Sequence, residues 1–233
     1  MQKVKLDSRL MSVAKLVRQG SRLIDIGTDH AYLPVYLIQS GICPNAIAAD
    51  IGEMPLLNAK ETIEKYNLTD KISTVLSNGL EQIEQNSADD IVLAGMGGIL
   101  IEEILSKAQW IKSSSIRIIA QPMTHPERVR GFFIKNGFKI IDEIASADSK
   151  HNYCTMAAEF DGKTDEYSVG YIYFGELKNK TDKDSKQYLT KQYNRLKKRY
   201  NALSKAEIQT DECEYLKQVI ADFERLTEVL NYD

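Results

Sequence analysis

The chain has 233 residues, of which 43% are hydrophobic and 27% charged, and its formal net charge is −3. This composition is typical of a globular protein with a sizeable core, and it excludes a membrane span and a surface that is basic throughout. Three scattered cysteines without Cys-x-x-Cys spacing, and an N-terminus without the apolar core of a signal peptide, predict reduced thiols, no metal site and a cytoplasmic location.

Up to residue 160, short apolar runs alternate with amphipathic segments of helical length. The runs are rich in β-branched residues and are typical of buried parallel strands. They cover residues 22–27, 46–51, 72–77, 90–97 and 116–122. Two of the intervening segments end at Gly41 and Gly137, as helices often do. The alternation predicts βαβ units in a doubly wound α/β sheet.

The pattern changes after the fifth strand. Residues 138–160 hold two extended runs around the polar turn SADSKHN, which predicts a hairpin that closes the sheet with an antiparallel strand. Further on, leucines recur every seven residues from Leu189, and a second amphipathic helix follows. We therefore expect an α/β domain over residues 1–162 and an antiparallel, coiled-coil-like helical pair over residues 163–233, packed within one chain.

The two tail helices differ in charge, because the first is rich in lysine and arginine and the second in acidic residues. Salt bridges between two solvated faces are one interpretation of this pattern. Contact between the basic helix and RNA phosphates is the other. The residues that would make that contact are Arg195, Lys197, Lys198 and Arg199.

The segment DIGTDHAYLP, residues 25–34, has the setting of a ligand-binding turn between a strand and a helix. Gly27 is the only glycine that remains of the usual glycine-rich loop, and Asp29 stands where a pyrophosphate needs close approach to the backbone. NAD is therefore a poor fit, whereas the cationic sulfonium of S-adenosylmethionine is compatible with an acidic turn. Asp25 and His30 belong to the same segment, and a plain strand-to-helix turn is the alternative.

Later strand ends carry further candidates. Asp50 lies about twenty residues beyond the loop, where a carboxylate can accept both ribose hydroxyls of a nucleoside. Asn78 and Gly79 can read an adenine edge or simply form a favoured turn. The segment AGMGG, residues 94–98, allows a ligand or a substrate base to approach the backbone, although a turn into a helix also favours glycine.

The segment QPMTHPERVR follows the fifth strand. Pro126 suits the first position of a helix. Arg128 and Arg130 are expected to be solvated helix arginines, with phosphate contact as the alternative. The three histidines are scattered and predict no metal site.

These motifs together, in this order, resemble the bacterial tRNA adenine-N1 methyltransferases of the TrmK family, which modify adenine 22. The resemblance rests on DIGTDHAYLP, AADI followed by PLLNAK, SNGL, AGMGG and QPMTHPERVRGFFIKNGF. It implies a Rossmann-like class I methyltransferase domain that uses S-adenosylmethionine, and a helical appendage that helps to hold tRNA. The implied reaction is methyl transfer to N1 of an adenine in tRNA.

The resemblance also implies a set of site residues. Those expected to bind the cofactor are Asp25, Gly27, His30, Asp50, Ile51, Asn78, Gly79, Gly95 and Met96. Those expected to bind the substrate are Gly97, Gly98, Gln121 and Pro122, together with the four basic tail residues. AGMGG stands where many methyltransferases of exocyclic amines hold an (N/D)PPY-type motif.

The absence of an (N/D)PPY-type motif fits the implied reaction. N1 of adenine already exposes a lone pair, so no base is needed to begin the attack. What the enzyme must supply is orientation and stabilisation of the positive charge passed to the base. Asp29 is the candidate for the second task. The chain is expected to be a monomer with tRNA as its partner.

Other classes of function stay open on the sequence alone. One is a methyltransferase that acts on another RNA position or on a small molecule. Another is a nucleotide-binding regulatory module, and a third is an RNA-binding protein with an inactive methyltransferase-like domain.

Overall fold

The computed structural model describes residues 3–149, 151–164, 166–205 and 210–230. In these residues seven strands form one sheet, in the order β3-β2-β1-β4-β5-β7-β6. The strands are β1 (Leu23–Ile26), β2 (Ala46–Asp50), β3 (Ile72–Leu76), β4 (Asp90–Gly97), β5 (Arg117–Thr124), β6 (Phe138–Ala147) and β7 (Asn152–Phe160).

Helices cover both faces of this sheet and form the tail. They are α1 (Ser8–Ala14), α2 (Tyr32–Gln39), α3 (Glu53–Lys65), α4 (Gly98–Lys107), α5 (Pro126–Lys135), α6 (Tyr171–Phe174), α7 (Lys183–Lys205) and α8 (Asp211–Leu230). Two short 3₁₀ helices lie at Gln109–Ile111 and Gly175–Asn179. Within the described ranges, no helix is both long enough and apolar enough to span a membrane.

The sheet has the topology that the sequence predicts. Strands β1 to β5 pair in parallel, and β7 pairs antiparallel with both β5 and β6. The predicted hairpin is thus confirmed, although residue 150 of its turn lies outside the described residues. Because five parallel strands run the same way, the turns that follow them gather at one edge of the sheet.

Two apolar layers cover the two faces of the sheet. Successive side chains along a strand point alternately into one layer and the other. Ile24 and Ile26 face the layer that contains α4, α5 and the tail, whereas Leu23 faces the layer that contains α1, α2 and α3. The same alternation along every inner strand explains why the runs are almost continuously hydrophobic. Packing on both faces fixes the strands, and therefore the turns at their ends that form the candidate site.

The tail helices pack against each other in an antiparallel arrangement. Lys197 Nζ donates a hydrogen bond of 2.9 Å to Glu224 Oε1, and Arg199 Nε donates one of 2.9 Å to Glu212. Salt bridging between the two helices is therefore confirmed for these residues. The connecting residues 206–209 lie outside the described residues, as do the side chains of residues 227–230.

The expectation that Arg130 is a solvated helix arginine is wrong. Its side chain is 0% exposed, and its Nε donates a hydrogen bond of 2.7 Å to Glu143 Oε1, which is also 0% exposed. Its Nη1 donates to the carbonyl oxygen of Ile172, and Glu143 Oε2 accepts from the amide of Glu176. This ion pair therefore links α5 and β6 to the chain that leads into the tail.

Glycine is required at position 175, beside this ion pair. A Cβ on Gly175 would lie 2.1 Å from Glu143 Oε2 and 2.5 Å from Arg130 Nε. The backbone can approach the buried carboxylate only where no side chain intervenes.

The domain boundary predicted between residues 162 and 163 stays a prediction.

Candidate active site

A cleft of about 390 Å³ opens at the edge of the sheet where β1 and β4 end. Its walls come from α1, the turn after β1, the start of α2 and the glycine-rich end of β4. The lining residues are Asp7, Arg9, Leu10, Asp25, Gly27, Thr28, Asp29, His30, Ala31, Tyr32, Leu33, Ala94 and Gly95.

The turn after β1 has a fixed and unusual backbone. Gly27 has φ = +75°, and a Cβ there would lie 2.6 Å from Met96 Cε. The amides of Gly27 and Thr28 both donate to the carbonyl oxygen of Ala49, at 2.8 and 3.0 Å. Hydrogen bonds to β2 therefore hold the turn, and both the positive φ and the contact with Met96 favour glycine at position 27.

Asp25 is the most perturbed carboxylate of the cleft. Its exposed fraction is 7%, and burial raises its pKa to about 7. A hydrogen bond with Thr28 and the charge of Arg9 oppose this rise, while the charge of Asp50 adds to it. A carboxylate held in this way gains most from a cation placed beside it.

Asp29 and His30 form the outer part of the same turn. The Asp29 side chain is 69% exposed, and its Oδ2 lies 3.3 Å from His30 Nε2. The His30 ring stacks on Tyr32, with ring centroids 5.2 Å apart and an angle of 18° between the planes. Asp29 therefore points a carboxylate at the open side of the cleft.

Asp50 and Asn78 end the next two strands of the sheet. Asp50 Oδ1 accepts a hydrogen bond of 2.8 Å from the amide of Gly52, and the neighbouring Ile51 is exposed. Asn78 Nδ2 donates to Glu81 Oε1 at 2.9 Å. Asn78 lines a separate cavity of about 230 Å³, and its part in binding the cofactor stays a prediction.

The glycine-rich segment closes the opposite wall. The amide of Gly95 donates a hydrogen bond of 3.1 Å to Gln121 Oε1. A Cβ on Gly98 would lie 2.3 Å from the carbonyl oxygen of His125, so the start of α4 packs directly on the loop after β5. The pairing of β4 with β5 is irregular between Ala94 and Gly97, as at a β-bulge.

Two predicted substrate residues, Gln121 and Pro122, are buried. Gln121 Oε1 accepts a hydrogen bond of 2.9 Å from Arg9 Nη1 and also contacts Gly95, as described above. The Gln121 side chain has no exposed surface, so it acts on the site through these two partners.

Arg9 is a site residue that the sequence analysis missed. Among the described residues that line the cleft, it is the only arginine or lysine. Asp7 caps the helix that carries it, because Asp7 Oδ1 accepts a hydrogen bond of 2.7 Å from the amide of Leu10. The cap residue gives a local signal for a helix start. No local signal says that this helix reaches the mouth of the sheet.

The basic residues predicted to bind RNA fall into two groups. Lys197 and Arg199 are engaged with α8, as described above. Arg195 Nη2 lies 3.7 Å from Glu127 Oε2 and faces the catalytic part, and Lys198 is exposed. Arg128 pairs with Glu102 at 2.6 Å.

The charged side chains of the site fit a ligand that carries both a positive centre and a carboxylate. Asp25 and Asp29 supply negative charge at the cleft wall, and Arg9 supplies one positive charge. Asp50 lies close enough for its charge to raise the pKa of Asp25. S-adenosylmethionine has these features, whereas a pyrophosphate would meet the acidic turn.

Comparisons with known proteins identify relatives over the whole chain. Residues 6–156 match the family model described as a methyltransferase domain. The tRNA (adenine(22)-N(1))-methyltransferase of Bacillus subtilis is 31% identical over 237 residues, covering 100% of both chains. The crystal structure of the B. subtilis m1A22 tRNA methyltransferase TrmK has a TM-score of 0.82 and 31% identity, covering 98% of this chain and 100% of that chain.

A structure with a bound ligand is also similar. It is a putative tRNA (m1A22) methyltransferase of Streptococcus pneumoniae in complex with S-adenosyl-L-methionine. Its TM-score is 0.79 with 30% identity, covering 93% of this chain and 100% of that chain.

Proposed function

The chain belongs to the tRNA (adenine(22)-N(1))-methyltransferase family, and we propose that it transfers a methyl group from S-adenosyl-L-methionine to N1 of adenine 22 in tRNA. The observation that carries this proposal is the acidic cleft at the ends of β1 and β4, in a chain that matches the B. subtilis enzyme along its full length.

Three charged residues would hold the methyl donor. Asp50 at the end of β2 accepts the ribose hydroxyls. Asp25 pairs with the amino group of the methionine part, where a cation relieves the cost of its buried charge. Arg9 pairs with the carboxylate of the same part, and Gln121 fixes the Arg9 guanidinium from the sheet side.

S-adenosylmethionine supplies an electrophilic methyl group on a positively charged sulfur. The attacking N1 of adenine has a free lone pair, so no residue is needed to remove a proton first. Asp29 lies at the open side of the cleft, where its carboxylate accepts a hydrogen bond from the N6 amine. The same charge stabilises the positive charge that the base acquires.

The glycine-rich end of β4 shapes the place for the target base. The backbone at Gly98 packs on the loop after β5, because a Cβ there would lie 2.3 Å from the carbonyl oxygen of His125. This contact fixes the backbone of the segment, against which a base taken out of a stack would lie. The absence of an amine-binding motif from this segment suits a ring nitrogen as the nucleophile.

The proposal includes the form in which the enzyme works. Residues 1–162 make up the catalytic domain and residues 163–233 the helical tail. The apolar faces of α7 and α8 are buried against each other and against the catalytic part, which favours a monomer. The enzyme acts in the cytoplasm and without a metal ion.

Radiolabelled S-adenosylmethionine and an unmodified tRNA transcript test this function. We expect label in N1-methyladenosine after nucleoside analysis, and none when adenine 22 is replaced by guanine. Label in another nucleoside, or equal labelling of both transcripts, would contradict the proposal.

A further inference from the structure

A second cleft lies beside the active site and has no part in the methyl transfer described above. Its volume is about 490 Å³, and it lies between the end of β5, the hairpin of β6 and β7, and helix α7. Thr124, Asn152, Lys191, Gln192 and Arg195 are among the residues that line it. It is therefore built from both the catalytic part and the tail.

Two cations of α7 face this cleft. Lys191 and Arg195 lie one helical turn apart and so share a face of the helix. Lys191 Nζ donates a hydrogen bond to Asn152 Oδ1, and Arg195 forms a 3.7 Å ion pair with Glu127. Both side chains are exposed and can reach an anion without leaving the helix face.

Two buried amide atoms in the same cleft have no hydrogen-bond partner among the described residues. One is the donor Asn152 Nδ2, and the other is the acceptor Gln192 Oε1. A buried polar atom without a partner is costly, so such atoms usually mark a bound ligand or an ordered water. A ligand that satisfies both must offer one acceptor and one donor.

An RNA backbone offers this combination. A phosphate oxygen accepts from an amide nitrogen and attracts lysine and arginine, while a ribose 2′-hydroxyl donates to an amide oxygen. A DNA strand provides the phosphate but not the 2′-hydroxyl.

The second cleft begins where the active site ends. Thr124 lines it, and Thr124 pairs with Gly97 across β4 and β5. A Cβ on Gly97 would lie 3.3 Å from Thr124 Oγ1. A strand whose target base lies at the glycine-rich segment therefore brings its next nucleotide to the mouth of this cleft.

We propose that this cleft binds the backbone of the nucleotide next to the target adenine. Lys191, Arg195 and Asn152 contact its phosphate, and Gln192 accepts a hydrogen bond from its 2′-hydroxyl. This inference rests on the proposed function and deepens it, because it names residues that bind the backbone of the substrate RNA.

Binding of tRNA to variants gives the first test. Lys191→Ala and Arg195→Ala are each expected to raise the tRNA Kd about three- to tenfold and to lower the salt slope of log Kd by about one. Lys217→Ala on α8 removes the same charge away from the cleft and is the matched control. We expect unchanged thermal stability and unchanged S-adenosylmethionine binding in all three.

A double-mutant cycle gives the sharper test. In one tRNA, a neutral methylphosphonate replaces a linkage beside the target adenine, and in another, the adjacent 2′-hydroxyl is removed. The neutral linkage should weaken binding by the wild type but have little further effect on Lys191→Ala. Removal of the 2′-hydroxyl should be non-additive with Gln192→Ala in the same way. Lys191→Arg keeps the charge and should retain the coupling.

The outcomes separate the two proposals. If the wild type methylates adenine 22 but every cycle is additive, or if Lys217→Ala loses as much affinity as Lys191→Ala, the inference about the cleft is wrong. If the wild type does not methylate tRNA at all, the proposed function itself fails.

Discussion

At the residue scale, Asp25 is buried, but its proposed role in cofactor binding requires the ionised carboxylate. Its pKa is raised to about 7, so a fraction of the free protein carries a protonated Asp25 at neutral pH. Because the cofactor's amino group needs the ionised form, S-adenosylmethionine affinity is expected to fall as the pH decreases below about 7. The loss is at most about tenfold per pH unit. Calorimetric titrations from pH 5.5 to 8.5 measure it.

Asp25→Asn is the control for this pH dependence. The variant keeps the shape of the side chain but cannot ionise, so its weaker binding should vary little with pH. An equal pH dependence in both proteins would assign the titration to another group.

Asp29 is predicted to affect turnover more than binding. Asp29→Ala should lower kcat about a hundredfold or more, because it removes the charge that stabilises the methylated base. The S-adenosylmethionine Kd should change little, because Asp29 is exposed at the rim of the cleft. Single-turnover methylation and equilibrium binding measure the two effects separately. Unchanged turnover would remove Asp29 from the catalytic role.

At the scale of elements, the contact between α4 and the loop after β5 depends on a missing side chain. Gly98→Ala would place a Cβ 2.3 Å from the backbone oxygen of His125, and backbone cannot yield as a flexible side chain can. We expect a loss of about 2–4 kcal/mol in the free energy of unfolding, together with weaker methylation. Urea unfolding measures the first effect.

Gly131→Ala in α5 is the matched control. A Cβ there meets nothing within 4 Å, so alanine should be neutral or stabilise the helix by up to about 1 kcal/mol. A similar loss of stability in both variants would show that the contact at His125 is not the cause.

The elements themselves were largely predictable, because their signals are local. The strand that ends at Gly97 and the helix that begins at Pro126 follow from hydrophobic runs and turn residues. The positions of Arg9 and Arg130 were not predictable. Both depend on which elements meet in three dimensions, and an arginine on a helix looks solvated until a buried carboxylate from another element is placed beside it.

At the scale of the whole molecule, the buried Arg130–Glu143 ion pair of the catalytic part also forms hydrogen bonds with the backbone that leads into the tail. Glu143→Gln would leave the Arg130 charge buried without its counter-charge and would weaken the hold on the amides of Glu176 and Leu177. We expect a loss of about 3–5 kcal/mol in the free energy of unfolding. Urea unfolding measures it.

A surface pair provides the comparison. Glu102→Gln breaks the exposed pair with Arg128 and should cost less than about 1 kcal/mol. Equal costs for the two variants would mean that the buried pair has no special part in joining the tail.

The strand order has a consequence for synthesis on the ribosome. Strand β7 lies between β5 and β6, although β6 emerges first from the exit tunnel. Until residues 152–160 follow, the nascent chain exposes one unpaired edge of β5, and β6 has no neighbour to join. Such an edge can pair with other chains, so a stalled or truncated product that ends before β7 should be prone to aggregation and proteolysis.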